Sequence, residues 1–191
     1  MYKLRVGVLA LQGAFIEHIK ILKDLGVSAF EIRQLKDIKD NFDGLILPGG
    51  ESTVQISLLK KLGLFKPLKE KIIEGLPVMA TCAGLILLAK DIQNQNYNAF
   101  GSLPVTVVRN AYGRQLGSFK TKEKIQGLGN FEMIFIRAPY IEKVEKGVQI
   151  LAKVDEKIVC VRYKNQLALS FHPELTKDKT IHEYFLSMIS S

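Results

Sequence analysis

Residues 44–53 read Gly44-Leu45-Ile46-Leu47-Pro48-Gly49-Gly50-Glu51-Ser52-Thr53. A continuous apolar run that stops abruptly in Pro-Gly-Gly is the pattern of a strand buried on both faces of a parallel sheet. The same rhythm extends outward in both directions. Toward the N-terminus, residues 4–9 are β-rich and end at Gln12-Gly13. Phe15, Ile16, Ile19, Leu22 and Leu25 then recur at helical spacing, with Gly26 as the stop, and 27–32 predicts a second strand. Toward the C-terminus, 54–62 and 68–73 predict helices, 76–81 a strand, and 85–89 the start of another helix. Strands alternating with helices in this way form βαβ units and a parallel sheet with helices on both faces.

Beyond residue 100 the pattern changes to short strands at 105–108, 133–136, 149–152, 158–161 and 167–171, followed by a closing helix at 176–189. These predict short antiparallel additions to the parallel sheet within one domain spanning 1–191. A length of 191 residues suits a single domain with a full core. Its 47% apolar and 24% charged residues exclude a disordered or fibrous chain. The longest uncharged apolar stretch, 76–89, is shorter than the ~20 residues that span a bilayer. The start carries charge and no apolar signal run. Two cysteines, Cys82 and Cys160, without a Cys-x-x-Cys, argue against a disulfide framework or a zinc ribbon. The expectation is a soluble, cytoplasmic protein with no metal and no membrane partner.

With 27 Lys and Arg against 19 Asp and Glu, the net charge is +8, which raises nucleic-acid binding as a possibility. The basic residues are dispersed, with clusters at Lys60-Lys61, 66–71 and 120–124 that lie among acids or at helical spacing. That is the pattern of solvated helix faces, and it predicts no nucleic-acid partner. A docking surface for an acidic protein is the other reading of the charge.

In open α/β sheets ligands bind beyond the carboxyl ends of the strands, and three such ends carry chemistry. At Thr81-Cys82-Ala83-Gly84, a thiol on a strand-to-helix turn projects outward. The following N–H groups and helix dipole favour its thiolate. A buried structural cysteine is the alternative; Cys160, inside an alternating strand, is assigned to the core. At His172-Pro173-Glu174, residues two apart in an extended chain point the same way, so carboxylate and imidazole can meet. The alternative there is an incidental turn. His18 and His182 fall in helical patterns and receive no role. At Pro48-Gly49-Gly50, glycines allow close backbone approach and inward N–H groups, while the Gly-Lys-Ser/Thr of a phosphate loop is missing. A Cys followed ninety residues later by His-x-Glu, with a glycine turn at an earlier strand end, is a thiol acyl-transfer set.

The chain resembles the triad-type glutamine amidotransferases, and within them the glutaminase subunits of pyridoxal 5′-phosphate synthase. The likeness rests on residues 9–13 (Leu-Ala-Leu-Gln-Gly), 47–53 (Leu-Pro-Gly-Gly-Glu-Ser-Thr), 81–89 (Thr-Cys-Ala-Gly-Leu-Ile-Leu-Leu-Ala), 109–115 (Arg-Asn-Ala-Tyr-Gly-Arg-Gln), 135–139 (Phe-Ile-Arg-Ala-Pro) and 171–174 (Phe-His-Pro-Glu), in family order. Ala14, Ala80, Pro104 and Gly117 depart from residues common in that family, without removing a nucleophile, base or backbone donor. The resemblance implies a flavodoxin-like three-layer sandwich. It implies hydrolysis of L-glutamine to L-glutamate and ammonia, with Cys82, His172 and Glu174 as triad. Gly49, Gly50 and Ala83 would supply oxyanion donors; Gly50, Glu51, Ser52, Arg109, Ile136 and Arg137 would contact the glutamine. A surface salt bridge is the plainer reading of either arginine. Gln12 and Gly13 would respond to docking of a synthase subunit in a large hetero-oligomer. Pyridoxal 5′-phosphate would be the partner's product, so no cofactor is expected here. Another α/β cysteine hydrolase or a non-catalytic binding module of the same fold are the competing expectations.

Overall fold

A computed structural model describes residues 3–95, 98–109 and 117–190. Residues 110–115 of the Arg-Asn-Ala-Tyr-Gly-Arg-Gln segment lie outside the described residues. The N-terminal half runs β1 (Arg5–Leu9), α1 (Phe15–Asp24), β2 (Ser28–Ile32), β3 (Gly44–Leu47), α2 (Ser52–Lys61), α3 (Phe65–Ile73), β4 (Val78–Thr81) and α4 (Ala83–Leu88). Then follow β5 (Ala89–Ile92), β6 (Leu103–Val108), β7 (Ser118–Ile125), β8 (Gly129–Ile136) and β9 (Tyr140–Val144). The chain closes with β10 (Gln149–Val154), β11 (Lys157–Tyr163), β12 (Gln166–Leu169) and α5 (Thr180–Ile189).

Ten strands form one sheet in the order β2-β1-β3-β4-β12-β11-β9-β6-β5, with β10 on β11 off this path. From β2 to β12 every pairing is parallel. Beyond β12 the strands are antiparallel, apart from β5 on β6. Side chains of period two divide the core. Leu45, Leu47, Val78 and Ala80 face α2, α3 and α4 through Ile56, Leu59, Leu68 and Leu85. Ile46, Met79, Leu167 and Leu169 face α1 and α5 through Ile19, Leu22, Phe185 and Met188. Each large side chain among them contributes roughly 1.5–3 kcal/mol by leaving water. The result is the expected three-layer α/β sandwich, mostly parallel at its centre.

Three local expectations are corrected. Strands β7 and β8 form their own two-stranded sheet instead of extending the main one. It covers the α1/α5 face with Phe131, Met133 and Phe135. The cluster 120–124 is not a helix face: it lies in β7, where Lys120, Lys122 and Lys124 point to solvent while Phe119 stacks on Phe135 at 4.5 Å. The acid at Glu123 masks the period-two spacing of these lysines. Finally, the helix expected from 176 starts at Thr180, preceded by a 3-10 turn at Pro173–Leu175. Pro173 begins that turn because its fixed φ suits a first helical position, where no backbone donor is needed.

Candidate active site

Because β1, β3, β4 and β12 run parallel, their carboxyl ends open on one edge of the sheet. The strand order reverses around β1 and β3, so the crevice lies where open α/β sheets bind ligands. A cavity of about 790 Å³ opens there. Gln12, Gly13, Gly49, Gly50, Glu51, Ser52, Cys82, Ala83, Arg109, Ile136, Arg137 and His172 all line it. Of the residues given a site role from sequence, only Glu174 is outside the lining, buried behind His172. Ala14, Ile86, Gly117 and Pro139 complete the wall.

Cys82 sits between β4 and α4 with φ 48° and ψ −103°. A non-glycine residue in that region carries strain, as at the nucleophile elbows of α/β hydrolases. Its N–H donates to Leu169 O at 2.8 Å, which fixes the bend against β12. Gly84 is obligatory beside it, since a Cβ there would run into the Leu47 carbonyl. Helix α4 is six residues long and entirely buried, so it offers the N–H groups of its first turn and little macrodipole. The thiol donates a long, weak hydrogen bond to Ile136 O at 3.8 Å.

His172 follows β12, and its N–H donates to Ile134 O at 2.8 Å, which anchors it to β8. Nδ1 donates to Glu174 Oε1 at 2.7 Å. The pair meets across the 3-10 turn, not along an extended strand as the spacing suggested. The other ring nitrogen, Nε2, makes no well-formed hydrogen bond. Burial pulls the imidazole pKa down, but hydrogen bonding and charge from Cys82 and Glu174 outweigh it and raise it to about 10. Burial likewise opposes ionisation of Glu174, and His18 and His172 around it still hold its carboxyl below the usual range.

The glycine turn brings the two halves together. A Cβ on Gly49 would overlap the His172 ring and lie 3.4 Å from Cys82 Cβ. Sequence reasoning assigned Gly49 as an oxyanion donor; its N–H instead donates to Thr81 Oγ1 at 3.0 Å. Its carbonyl accepts the N–H of Ala14 at 3.1 Å, and the Glu51 N–H donates to Gln12 Oε1 at 2.7 Å. Gln55 Nε2 reaches Gln12 O at 2.9 Å and Pro48 O at 3.2 Å. The loop after β1 is thereby strapped onto the turn after β3.

At the far wall, Arg137 takes φ 45°, which turns the end of β8 toward the cavity, and its N–H donates to Gly117 O at 2.7 Å. The Arg109 guanidinium donates to Gln95 Oε1 at 2.7 Å. Two residues without an assigned role stand behind His172 and Glu174. His18 and His182 are fully buried, with His18 Nδ1 and His182 Nε2 2.9 Å apart and His18 Nε2 3.5 Å from Glu174 Oε2. The signal for His18 was its place in the apolar helical stripe of Phe15, Leu22 and Leu25. Among the described residues, no group of three His, Cys, Asp or Glu is arranged to hold a metal. No helix there is long and apolar enough to cross a membrane.

The arrangement suits nucleophilic attack by sulfur on an acyl carbon, with proton transfer through one imidazole. The chain is 63% identical over 187 residues to "Pyridoxal 5'-phosphate synthase subunit PdxT" of Desulfitobacterium hafniense (strain Y51), covering 98% of this chain and 94% of that protein. The protein of the same name from Methanocorpusculum labreanum is 59% identical, with 98% of each chain covered. A solved structure described as "Crystal structure of glutamine amidotransferase" superposes with TM-score 0.92 at 42% identity, over 97% of this chain and 99% of that one. The structure of PurLQS from Thermotoga maritima contains a chain that shares the fold, with TM-score 0.72 at 16% identity over 97% of this chain and 99% of the other. The family described as the SNO glutamine amidotransferase family matches residues 8–191, and the chain belongs to it.

Proposed function

We propose that the chain hydrolyses the side-chain amide of L-glutamine to L-glutamate and ammonia, with Cys82 as nucleophile, His172 as acid and base, and Glu174 as the group that orients it. The observation that carries this reading is the convergence of a strained, cavity-facing thiol and a carboxylate-bound imidazole on the same glycine. Sγ bonds to the carboxamide carbon with the thiol proton held on His172 Nε2, where the raised pKa of the ring keeps it. His172 returns that proton to the nitrogen, so the C–N bond breaks with ammonia leaving and a thioester remaining. Water, giving a proton to the same imidazole, attacks the thioester; the C–S bond breaks, glutamate leaves and the thiol is restored. Through both steps the Nδ1–H bond to Glu174 holds the ring's tautomer.

The tetrahedral oxygen is received by the N–H of Ala83, at the start of α4, and of Gly50. One such donor typically lowers the barrier by ~3–4 kcal/mol. Gly50, Glu51, Ser52 and Ile136 line the path of the substrate, and the forked guanidinium of Arg109 or Arg137 suits its α-carboxylate. That charge requirement excludes plain amides.

The similar proteins are named as subunits of a pyridoxal 5′-phosphate synthase, which supports a second part of the reading, a synthase partner. In this reading the ammonia is consumed by that synthase subunit, in a large hetero-oligomer in the cytoplasm. This chain then needs no cofactor of its own. The strap from Gln12, Gly13 and Ala14 onto residues 49–51 sets the orientation of the glycine turn. Docking that moves the strap would therefore switch the oxyanion site on. Glutamate release from glutamine, measured with and without the purified synthase subunit, tests both parts. Hydrolysis should rise strongly with the synthase and fall by on the order of 10⁴-fold in Cys82→Ala. Full activity in Cys82→Ala would end the assignment, and equal activity with and without synthase would end the gating.

A further inference from the structure

His18 belongs to no part of the reaction as described, yet it lies where two parts of the site meet. Its Nε2 is 3.5 Å from Glu174 Oε2 and 3.5 Å from Thr81 Oγ1, and Thr81 in turn accepts the N–H of Gly49. Glu174 Oε2 is buried and has no other hydrogen-bond partner. We propose that His18 is a positioning residue of the hydrolysis, its imidazole steadying the outer oxygen of Glu174 and the Thr81 hydroxyl together. The inference rests on the glutaminase reading given above.

The tautomers follow from counting donors. The titratable groups that face His18 are Glu174 and His172 beyond β12, His182 on α5, and Glu17 beside it on α1. Burial keeps His18 below its ordinary value despite the pull of Glu174, and takes His182 down to about 2. Both rings are therefore neutral, and each has one N–H. If His18 carried its proton on Nδ1, its Nε2 lone pair would face an anionic oxygen, and His182 would bury an N–H on Nδ1 without an acceptor. With the proton on Nε2, the carboxylate gains a donor. His182 Nε2–H then donates to His18 Nδ1 at 2.9 Å, and only a lone pair on His182 Nδ1 is left unpaired. The second arrangement avoids a buried orphan donor and a lone-pair repulsion. His182 thus fixes His18, His18 steadies Glu174, and Glu174 holds His172. At 3.5 Å the His18 contact is longer than a formed hydrogen bond, as catalytic contacts often are before substrate binds.

Two amides separate this role from mere packing. The Gln side chain carries its nitrogen where imidazole carries Nε2, within reach of Glu174. The Asn nitrogen sits where imidazole carries Nδ1, near His182 and short of Glu174. His18→Asn and His18→Gln are assayed for glutamine hydrolysis with the synthase subunit. The free chains are examined by proton NMR for the downfield Nδ1–H resonance of His172, identified by its loss in His172→Asn. In His18→Asn kcat should fall roughly ten- to a hundred-fold, the scale usual for partners that orient a histidine from behind. KM should be unchanged, because His18 does not line the cavity. The resonance should move upfield or vanish. His18→Gln should retain most of kcat and the resonance. A folded His18→Asn with parental kcat and resonance would overturn the inference, as would a His18→Gln as impaired as His18→Asn. Should the parent fail to hydrolyse glutamine, the functional reading fails, while the resonance still decides the role of His18.

Discussion

Glu174→Gln keeps the shape of the site and removes one charge. The His172 Nδ1–H bond to Oε1 is 2.7 Å long and ends on a carboxylate sealed from water. A hydrogen bond to a charged group contributes ~1.5–3 kcal/mol. At about 1.4 kcal/mol per pH unit, losing the charge lowers the imidazole pKa by roughly 1–2 units. In the parent, burial depresses that pKa, but Cys82 and Glu174 together raise it to about 10. The protonated ring that hands its proton to the leaving nitrogen is therefore lost as pH rises through that value. In the variant it should be lost at lower pH, so the alkaline limb of kcat/KM for glutamine moves down by the same roughly 1–2 units. Rates measured from about pH 6 to about pH 10 with the synthase present read the shift directly, and a circular dichroism melt checks that the variant is folded. A limb that stays in place, or moves upward, in a folded Glu174→Gln would refute the role given to this carboxylate.

Gly49→Ala adds a methyl group that overlaps the His172 ring, so the imidazole must move. Hydrolysis should fall by roughly 10²-fold, the effect of about 1 Å of misplacement, and parental rates would contradict the packing described. Cys160→Ser should keep glutamine hydrolysis near the parent rate, since Cys160 is buried in the core and remote from the cavity. It should lose about 1–3 kcal/mol of stability in urea unfolding, as a hydroxyl replaces a thiol in apolar surroundings. His182 is buried and neutral with its pKa at about 2, so below its ordinary value of 6.5 the unfolded chain binds a proton that the folded chain does not. Stability should fall as pH drops below that value, at up to about 1.4 kcal/mol per unit from this group. His182→Phe should flatten that slope between about pH 6.5 and about pH 5, and an unaltered slope would show that His182 is not held neutral.

The parallel half of the sheet was legible because each strand is a short apolar run closed by a breaker. Residues 44–50 show this: Gly44–Leu47 are all buried, as a doubly covered strand requires, and Pro48-Gly49-Gly50 ends the run at strand length. Cys82 and His172 could be found because each follows a strand of that kind, and strand ends in a parallel sheet converge. Less legible was whatever depends on pairing across long sequence distance. Strand β7 hid because Lys120, Lys122 and Lys124 alternate with Thr121 and Glu123, so no apolar face shows until β8 is known to lie beside it. The Gly49 N–H looked free because its acceptor, Thr81, is supplied by the neighbouring strand 32 residues away. His18 and His182 are 164 residues apart, and no local pattern announces that two helices on one face bring them within 2.9 Å. Helical amphipathicity marks His18 as facing inward; only the fold reveals what it faces.

The central claim is that Cys82 is the sulfur that carries the acyl group of glutamine. Its most direct test is covalent capture: the chain and its synthase partner are exposed to a glutamine analogue bearing a chloroketone, followed by intact-mass spectrometry and peptide mapping. A single adduct on Cys82, formed in step with loss of glutamine hydrolysis and slowed by excess glutamine, is the expected result. Modification of Cys160 instead, or of Cys82 at a rate indifferent to glutamine, would contradict it.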